Sequence, residues 1–178
     1  MDVAVYGGSF NPPHVGHAMV AAWLSWTDTA DQIWLVPAAS HALRKALAPW
    51  SERVSMCAAL AEMLGPRVQV CGIESELPAP SYTWVTLCEL RARHPEHRFR
   101  LVVGSDTLEQ THLWHRWEDI EREFSPLVVG RAGYADAPGA PMFPDISSTS
   151  IREALARGED VRHLVPAPVH ARLGELYR

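Results

Sequence analysis

Short apolar runs alternate along the chain with longer stretches whose apolar residues gather on one face. Val3 to Tyr6 (VAVY) is a brief apolar run closed by Gly7-Gly8, the pattern of a buried strand. Val15 to Trp26 is rich in alanine and suits a helix. Gln32 to Pro37 (QIWLVP) reads as a second strand, ended by proline. Ser51 and Glu52 open another helix, where Val54, Cys57, Ala61 and Leu64 recur at i, i+3, i+7 and i+10 until Gly65-Pro66 stops it. The same reading gives strands at Arg67 to Gly72, Arg98 to Gly104 and Pro126 to Gly130, with helices at Thr83 to Arg93 and Glu118 to Phe124. Ala132 to Pro144 is rich in Gly, Pro and Ala and predicts a loop. Ser148 to Arg157 predicts a helix stopped by Gly158, and Val169, Leu173 and Leu176 give a final helix its apolar stripe.

Short strands separated by helices pair in parallel through right-handed crossovers, so the expectation is a doubly wound α/β fold. With 178 residues, the simplest organisation is one domain over residues 1–178. Ligands of such sheets sit beyond the carboxyl ends of the strands. That edge holds Gly7 to His14, the stretches after Pro37 and Gly72, Gly104 to Asp106 and the loop after Arg131.

Composition narrows the classes. Apolar content of 47% and charged content of 21% are those of a globular protein, and a net charge of −5 argues against a general nucleic-acid or membrane-surface partner. Cys57, Cys71 and Cys88 are well separated among apolar neighbours and read as reduced, buried thiols; none forms a CxxC zinc motif. The opening MDVAVYGG lacks the basic flank and long apolar core of a secretory signal, and no apolar run approaches membrane-spanning length, so the expected location is cytoplasmic.

Candidate chemistry concentrates in GGSFNPPHVGH, residues 7–17. Gly7 and Gly8 permit unusual backbone angles and close approach of a ligand to main-chain N–H groups. Pro13 suits a helix start, which places His14 and His17 three apart on one face of the first turn. A helix N-terminus attracts anions, and imidazoles there add donors, so the string reads as a phosphate site. Neither GxGxxG nor GxxxxGK[ST] is present, which sets aside the common dinucleotide and P-loop sites.

That string resembles the first signature of the HxGH nucleotidyltransferase superfamily, and ISSTSIR, residues 146–152, resembles its second. Within the superfamily, PSYTWVTLCEL (80–90), VVGSDTLEQTHLWHRWEDI (102–120) and VVGRAGY (128–134) look like segments of nicotinate-nucleotide adenylyltransferases, and HLVPAPVHARLGELYR has the shape of their C-terminus. The resemblance covers nearly the whole chain. It implies a Rossmann-like nucleotidyltransferase domain that transfers adenylate from ATP to the 5′-phosphate of nicotinate mononucleotide, in NAD biosynthesis, releasing pyrophosphate.

What the resemblance implies can then be placed residue by residue. His14, His17 and Arg152 are the catalytic candidates, with His17 first for stabilising the transition state. Gly7, Gly8, Ser9, Phe10, Lys45, Gly104, Asp106, Arg131, Ser147, Ser148 and Thr149 are candidates for holding ATP. A helix cap is an equally good reading of Asp106 and fits Ser147 to Thr149 as well, while Arg131 also reads as a solvated surface residue. Tyr82, Thr83, Trp114 and His115 are candidates for the pyridine mononucleotide, with Trp114 stacking on the ring. Mg²⁺ is implied as the companion of ATP, with no protein ligand assigned.

The match departs from the family in places. The loop after the second strand reads PAASHALRKALAPW, with His41, Arg44 and Lys45 as its bases in place of a proline–proline–histidine–lysine run. Val85 stands where an acid is common and cannot accept a hydrogen bond; His115 follows Trp114 where tyrosine is frequent. The departures cluster around the second substrate. Alternatives therefore stay open: the amide mononucleotide, a phosphopantetheine adenylyltransferase, a cytidylyltransferase, or a catalytically degenerate nucleotide-binding paralogue. A homo-oligomer stays open too.

Overall fold

Alternate residues of the central strands enter two separate cores. The computed structural model describes residues 1–40, 47–134, 139–174 and 176–177. Strands β1 (Asp2–Gly8), β2 (Gln32–Pro37), β3 (Val68–Val70), β4 (Arg98–Gly104), β5 (Leu127–Arg131) and β6 (Met142–Phe143) form one sheet in the order β3-β2-β1-β4-β5-β6. Every neighbouring pair is parallel. Ala4, Ile33, Leu35 and Val102 face one core, built with α1 (Val15–Trp26), α2 (Trp50–Leu64), α6 (Ser148–Ala156) and the C-terminal residues around α7 (Ala167–His170). Val3, Val5, Trp34, Val36, Leu101 and Val103 face the other, covered by α3 (Thr83–Arg93) and α5 (Trp117–Phe124). Period-two alternation with both faces apolar is what makes these runs near-continuously hydrophobic. The fold is the expected doubly wound α/β sheet.

The order reverses at β1, whose neighbours are β2 and β4, so the crossovers leave a crevice at the carboxyl ends of β1 and β4. Two short turns line it: α4 (Ser105–Leu108) directly after β4, and a 3₁₀ turn at Thr111–Leu113.

Four expectations are corrected. The loop expected over Ala132 to Pro144 contains β6, whose Met142 and Phe143 pair with Gly130 and Arg131. Two residues are too few for a period to show. The strand expected at Arg67 to Gly72 shortens to Val68–Val70, and a 3₁₀ turn at Ile73–Glu76 follows it. The final helix is only the four-residue α7, because its stripe residue Leu173 anchors a run of turns instead. Of the three unpaired cysteines only Cys57 is buried; Cys71 and Cys88 are half-buried. Among the described residues no helix is long and apolar enough to cross a membrane.

Candidate active site

A cavity of about 530 Å³ opens at the crevice. Its lining takes in seventeen of the eighteen candidate positions: Gly7 to Phe10, His14, His17, Tyr82, Thr83, Gly104, Asp106, Trp114, His115, Arg131, Ser147 to Thr149 and Arg152. The eighteenth, Lys45, lies outside the described residues, as do His41 and Arg44.

The loop after β1 is held from several sides at once. Arg152 donates from Nη1 to the Asn11 carbonyl at 2.7 Å, and the Ser148 hydroxyl donates to the Pro12 carbonyl at 2.9 Å. Two segments about 140 residues apart are thereby fastened together. Arg53, fully buried, donates to the Ser9 carbonyl at 2.8 Å and to Ala48 at 3.0 Å. The Asn11 amide oxygen accepts from Tyr177 Oη at 2.9 Å and from the Ala48 N–H at 3.2 Å. These ties hold Phe10 at φ 45°, in the left-handed region that a side-chain-bearing residue seldom occupies. Gly7 and Gly8 stay extended within β1, so the unusual backbone angle expected of them belongs to Phe10.

Phe10 is buried and packs on the His17 ring with centroids 4.8 Å apart; Tyr6 closes the cluster 5.8 Å from Phe10. His14 is the N-cap of α1 and not, as expected, inside its first turn. Its backbone N–H donates to His17 Nδ1 at 3.1 Å. The imidazole centroids lie 3.7 Å apart with the ring planes tilted by 30°. Burial, with Arg131 adding its charge, lowers the His14 pKa to about 4. Burial, then His14 and Arg131, hold His17 well below the ordinary range. Both rings are neutral near pH 7. Because His17 Nδ1 is an acceptor, its proton sits on Nε2, a donor available to the cavity.

Gly16 is a functional residue that the sequence reading passed over. A Cβ there would lie 3.1 Å from Cε1 and Nδ1 of His14, so a side chain would press on the imidazole and shift it. The signal was the glycine between the two histidines of HVGH.

Across the cavity, Ser147 caps α6, its Oγ accepting from the Ser150 N–H at 3.1 Å. The cap reading is thus correct for Ser147, and it leaves the first-turn N–H groups of Ser148 and Thr149 without intrahelical acceptors. Arg131 is neither a solvated surface residue nor a free cation. It pairs with Asp106 at 2.5 Å and with Asp145 at 2.7 Å, and donates to the Ile146 carbonyl at 2.9 Å. It braces the segment entering α6 against the turn after β4. The Asp106 carboxylate folds back over its own chain: a Cβ on Gly104 would lie 2.2 Å from Oδ1. A side chain at Gly104 would displace the Asp106 carboxylate and with it the pairing to Arg131.

The other end of the cavity is aromatic. Trp114 stands edge-on to Trp117 at 5.7 Å, and Tyr82 lies over His115 at 4.9 Å. The acceptor that Val85 cannot supply is present here on another element. Glu74 is buried; its Oε1 accepts the Thr86 hydroxyl at 3.0 Å and its Oε2 the Ala39 N–H at 3.2 Å. Burial raises its pKa, opposed by its hydrogen bonds and Arg53.

The arrangement can seat a polyanion against neutral imidazole donors, helix-start N–H groups and the Arg152 guanidinium, with a flat ring at the Trp114 end. Comparison with known proteins gives the family. The profile of the family described as cytidylyltransferase-like matches residues 5–154. A protein of Anaeromyxobacter sp. (strain K) named "Probable nicotinate-nucleotide adenylyltransferase" is 48% identical over 171 residues, covering 94% of this chain and 91% of its own. One of the same name from Myxococcus xanthus is 41% identical over 169 residues, covering 94% and 88%. The solved Plasmodium falciparum nicotinic acid mononucleotide adenylyltransferase complexed with NaAD superposes with a TM-score of 0.82 at 19% identity, covering 99% of this chain and 97% of that one; at that identity it speaks for the fold.

Proposed function

The chain belongs to the cytidylyltransferase-like family, and on that premise we propose that it is a cytoplasmic nicotinate-nucleotide adenylyltransferase, acting through a single domain of residues 1–178. It joins the adenylate of ATP to the phosphate of nicotinate mononucleotide and releases pyrophosphate. The observation that carries the reading is the fastening of residue 152 to residue 11, which makes one polyanion seat from two distant segments. The names and identities of the full-length relatives support the substrate.

The nucleophile of this reaction is already an anionic phosphate and needs no strong base. It needs in-line placement and relief of repulsion. His17 Nε2–H, fixed as a donor by the His14 N–H on its other nitrogen, is the first choice to stabilise charge building on the α-phosphate. His14, Arg152 and the start of α6 take the remaining phosphate oxygens. Both imidazoles are neutral near pH 7, so they act on the phosphates as N–H donors while the Arg152 guanidinium brings the formal positive charge. Gly7 leaves open space within 4 Å of its α-carbon side, room for a ligand against the strand. Trp114 stacks on the pyridine ring, and Tyr82, Thr83 and His115 surround it.

The residues fit a Mg²⁺ that travels with ATP. Asp106 and Asp145 are both engaged by Arg131, so an ion arriving with ATP would be held by phosphate oxygens and water. When bound it neutralises phosphate charge.

The test is pyrophosphate release with ATP and Mg²⁺ across nicotinate mononucleotide, nicotinamide mononucleotide and phosphopantetheine, and with CTP replacing ATP. Turnover greatest with ATP and nicotinate mononucleotide is expected. Turnover with phosphopantetheine or CTP alone, or nucleotide binding without pyrophosphate release, overturns the reading.

A further inference from the structure

We propose that Glu74 is a positioning residue for the second substrate; the inference rests on the proposed reaction. Glu74 lies outside both histidine and serine signatures and lines the cavity from the turn after β3. Its two oxygens join two segments of the cavity wall. Oε2 takes the N–H of Ala39, in the chain leaving β2, and Oε1 takes the hydroxyl of Thr86, in α3. A second pair of bonds runs alongside. The Ser81 N–H donates to Ser40 Oγ at 3.1 Å and the Ser40 N–H to Ser81 Oγ at 3.3 Å. The Thr86 hydroxyl also lies 3.3 Å from the Tyr82 carbonyl. Glu74 therefore acts on Tyr82 and Thr83 through Thr86 and Ser81, and on the wall opposite them through Ala39.

The choice of an acid follows from the donors. Ala39 N–H and Thr86 O–H both donate, and a carboxylate presents an acceptor to each. A glutamine would satisfy one and turn its NH₂ on the other, leaving a buried donor unpaired. The burial that makes the carboxylate costly also makes its loss felt. His14, His17 and Arg152 make no hydrogen bond to Glu74, Ala39 or Thr86 among the described residues, so a change at Glu74 acts first on the second substrate's side of the cavity.

Initial rates for Glu74→Gln and Glu74→Ala, measured against each substrate in turn, test this. Glu74→Gln is expected to raise KM for nicotinate mononucleotide about tenfold, the scale of one hydrogen bond to a charged group. KM for ATP stays within about twofold. Thr86→Val reproduces part of the effect, and adding it to Glu74→Gln costs less than the sum, because the two act through one contact. A rise in both KM values together with an equal fall in melting temperature for every variant makes Glu74 merely structural and overturns the proposal. So does a Glu74→Gln enzyme with unchanged KM. If the wild-type enzyme makes no pyrophosphate from nicotinate mononucleotide, the proposed reaction has failed instead, and the two failures are told apart before any variant is made.

Discussion

The two ends of the cavity are held together by opposite means. At the polyanion end, long-range bonds run from side chains to the carbonyls of one loop: Arg53 to Ser9, Arg152 to Asn11, Ser148 to Pro12. At the aromatic end, short side chains knit neighbouring turns: Ser40 with Ser81, Glu74 with Ala39 and Thr86. The first scheme fixes backbone and leaves donors free for a ligand. The second fixes the walls of a slot and leaves ring faces free. A triphosphate is recognised by charge and direction, a pyridine ring by shape, and each end is built for one of these tasks.

The sharpest way to break this contrast is to remove His17. His17→Ala is expected to lower kcat on the order of 10²–10³-fold with ATP affinity nearly kept, as for loss of one transition-state donor. Single-turnover pyrophosphate release beside an ATP binding isotherm measures it, and an unchanged rate takes His17 out of the mechanism. Arg152→Ala comes next. It loses a charge and the tie to Asn11, and kcat/KM for ATP falls on the order of 10–100-fold while Arg152→Lys recovers only part, since lysine lacks the fork.

Acid provides a third probe, read at the polyanion end through His14. The ordinary His14 value of 6.5 falls to about 4 in the folded protein. Between those values the unfolded chain binds the extra proton, so stability present above pH 6.5 is lost as pH falls toward 4. Lowering the pH from 7 to 5 costs about 2 kcal/mol through this residue, or roughly 4–8 °C in melting temperature. A His14→Asn variant should lose less over the same interval; equal losses would assign the acid sensitivity elsewhere. The smallest effect belongs to the aromatic end. Trp114→Ala should raise KM for the mononucleotide about tenfold by loss of stacking, with KM for ATP unmoved. A change in ATP kinetics instead would show that the two ends are not separable.

What could be read in advance follows the same division. The polyanion end is written in local strings, because a helix start and its anion site need particular residues at fixed short spacings. The bounds of α1 match the expected Val15 to Trp26, and Ser147 caps α6 as its position implies. The pairing of Arg131 was not legible, because its partners are 14 and 25 residues away and a lone arginine beside glycine gives no sign of them. Glu74 was missed for a related reason. In IESELP an acid reads as solvated, and only tertiary packing draws it against Ala39 and Thr86. Arg53 shares the buried face of α2 with Met56, Cys57 and Leu60, a place where a charged side chain is not expected without a partner. The fold class was legible from period alone. The two-residue β6 was not, since its pairing with β5 is decided by the sheet and not by its own residues.

Asn11 accepts from α6 at its carbonyl, and from Ala48 and Tyr177 at its side chain, so no single element owns the loop that carries it. Such a loop cannot melt on its own. Heat inactivation should therefore coincide with cooperative unfolding of the whole molecule, without an earlier stage in which a folded but inert enzyme accumulates.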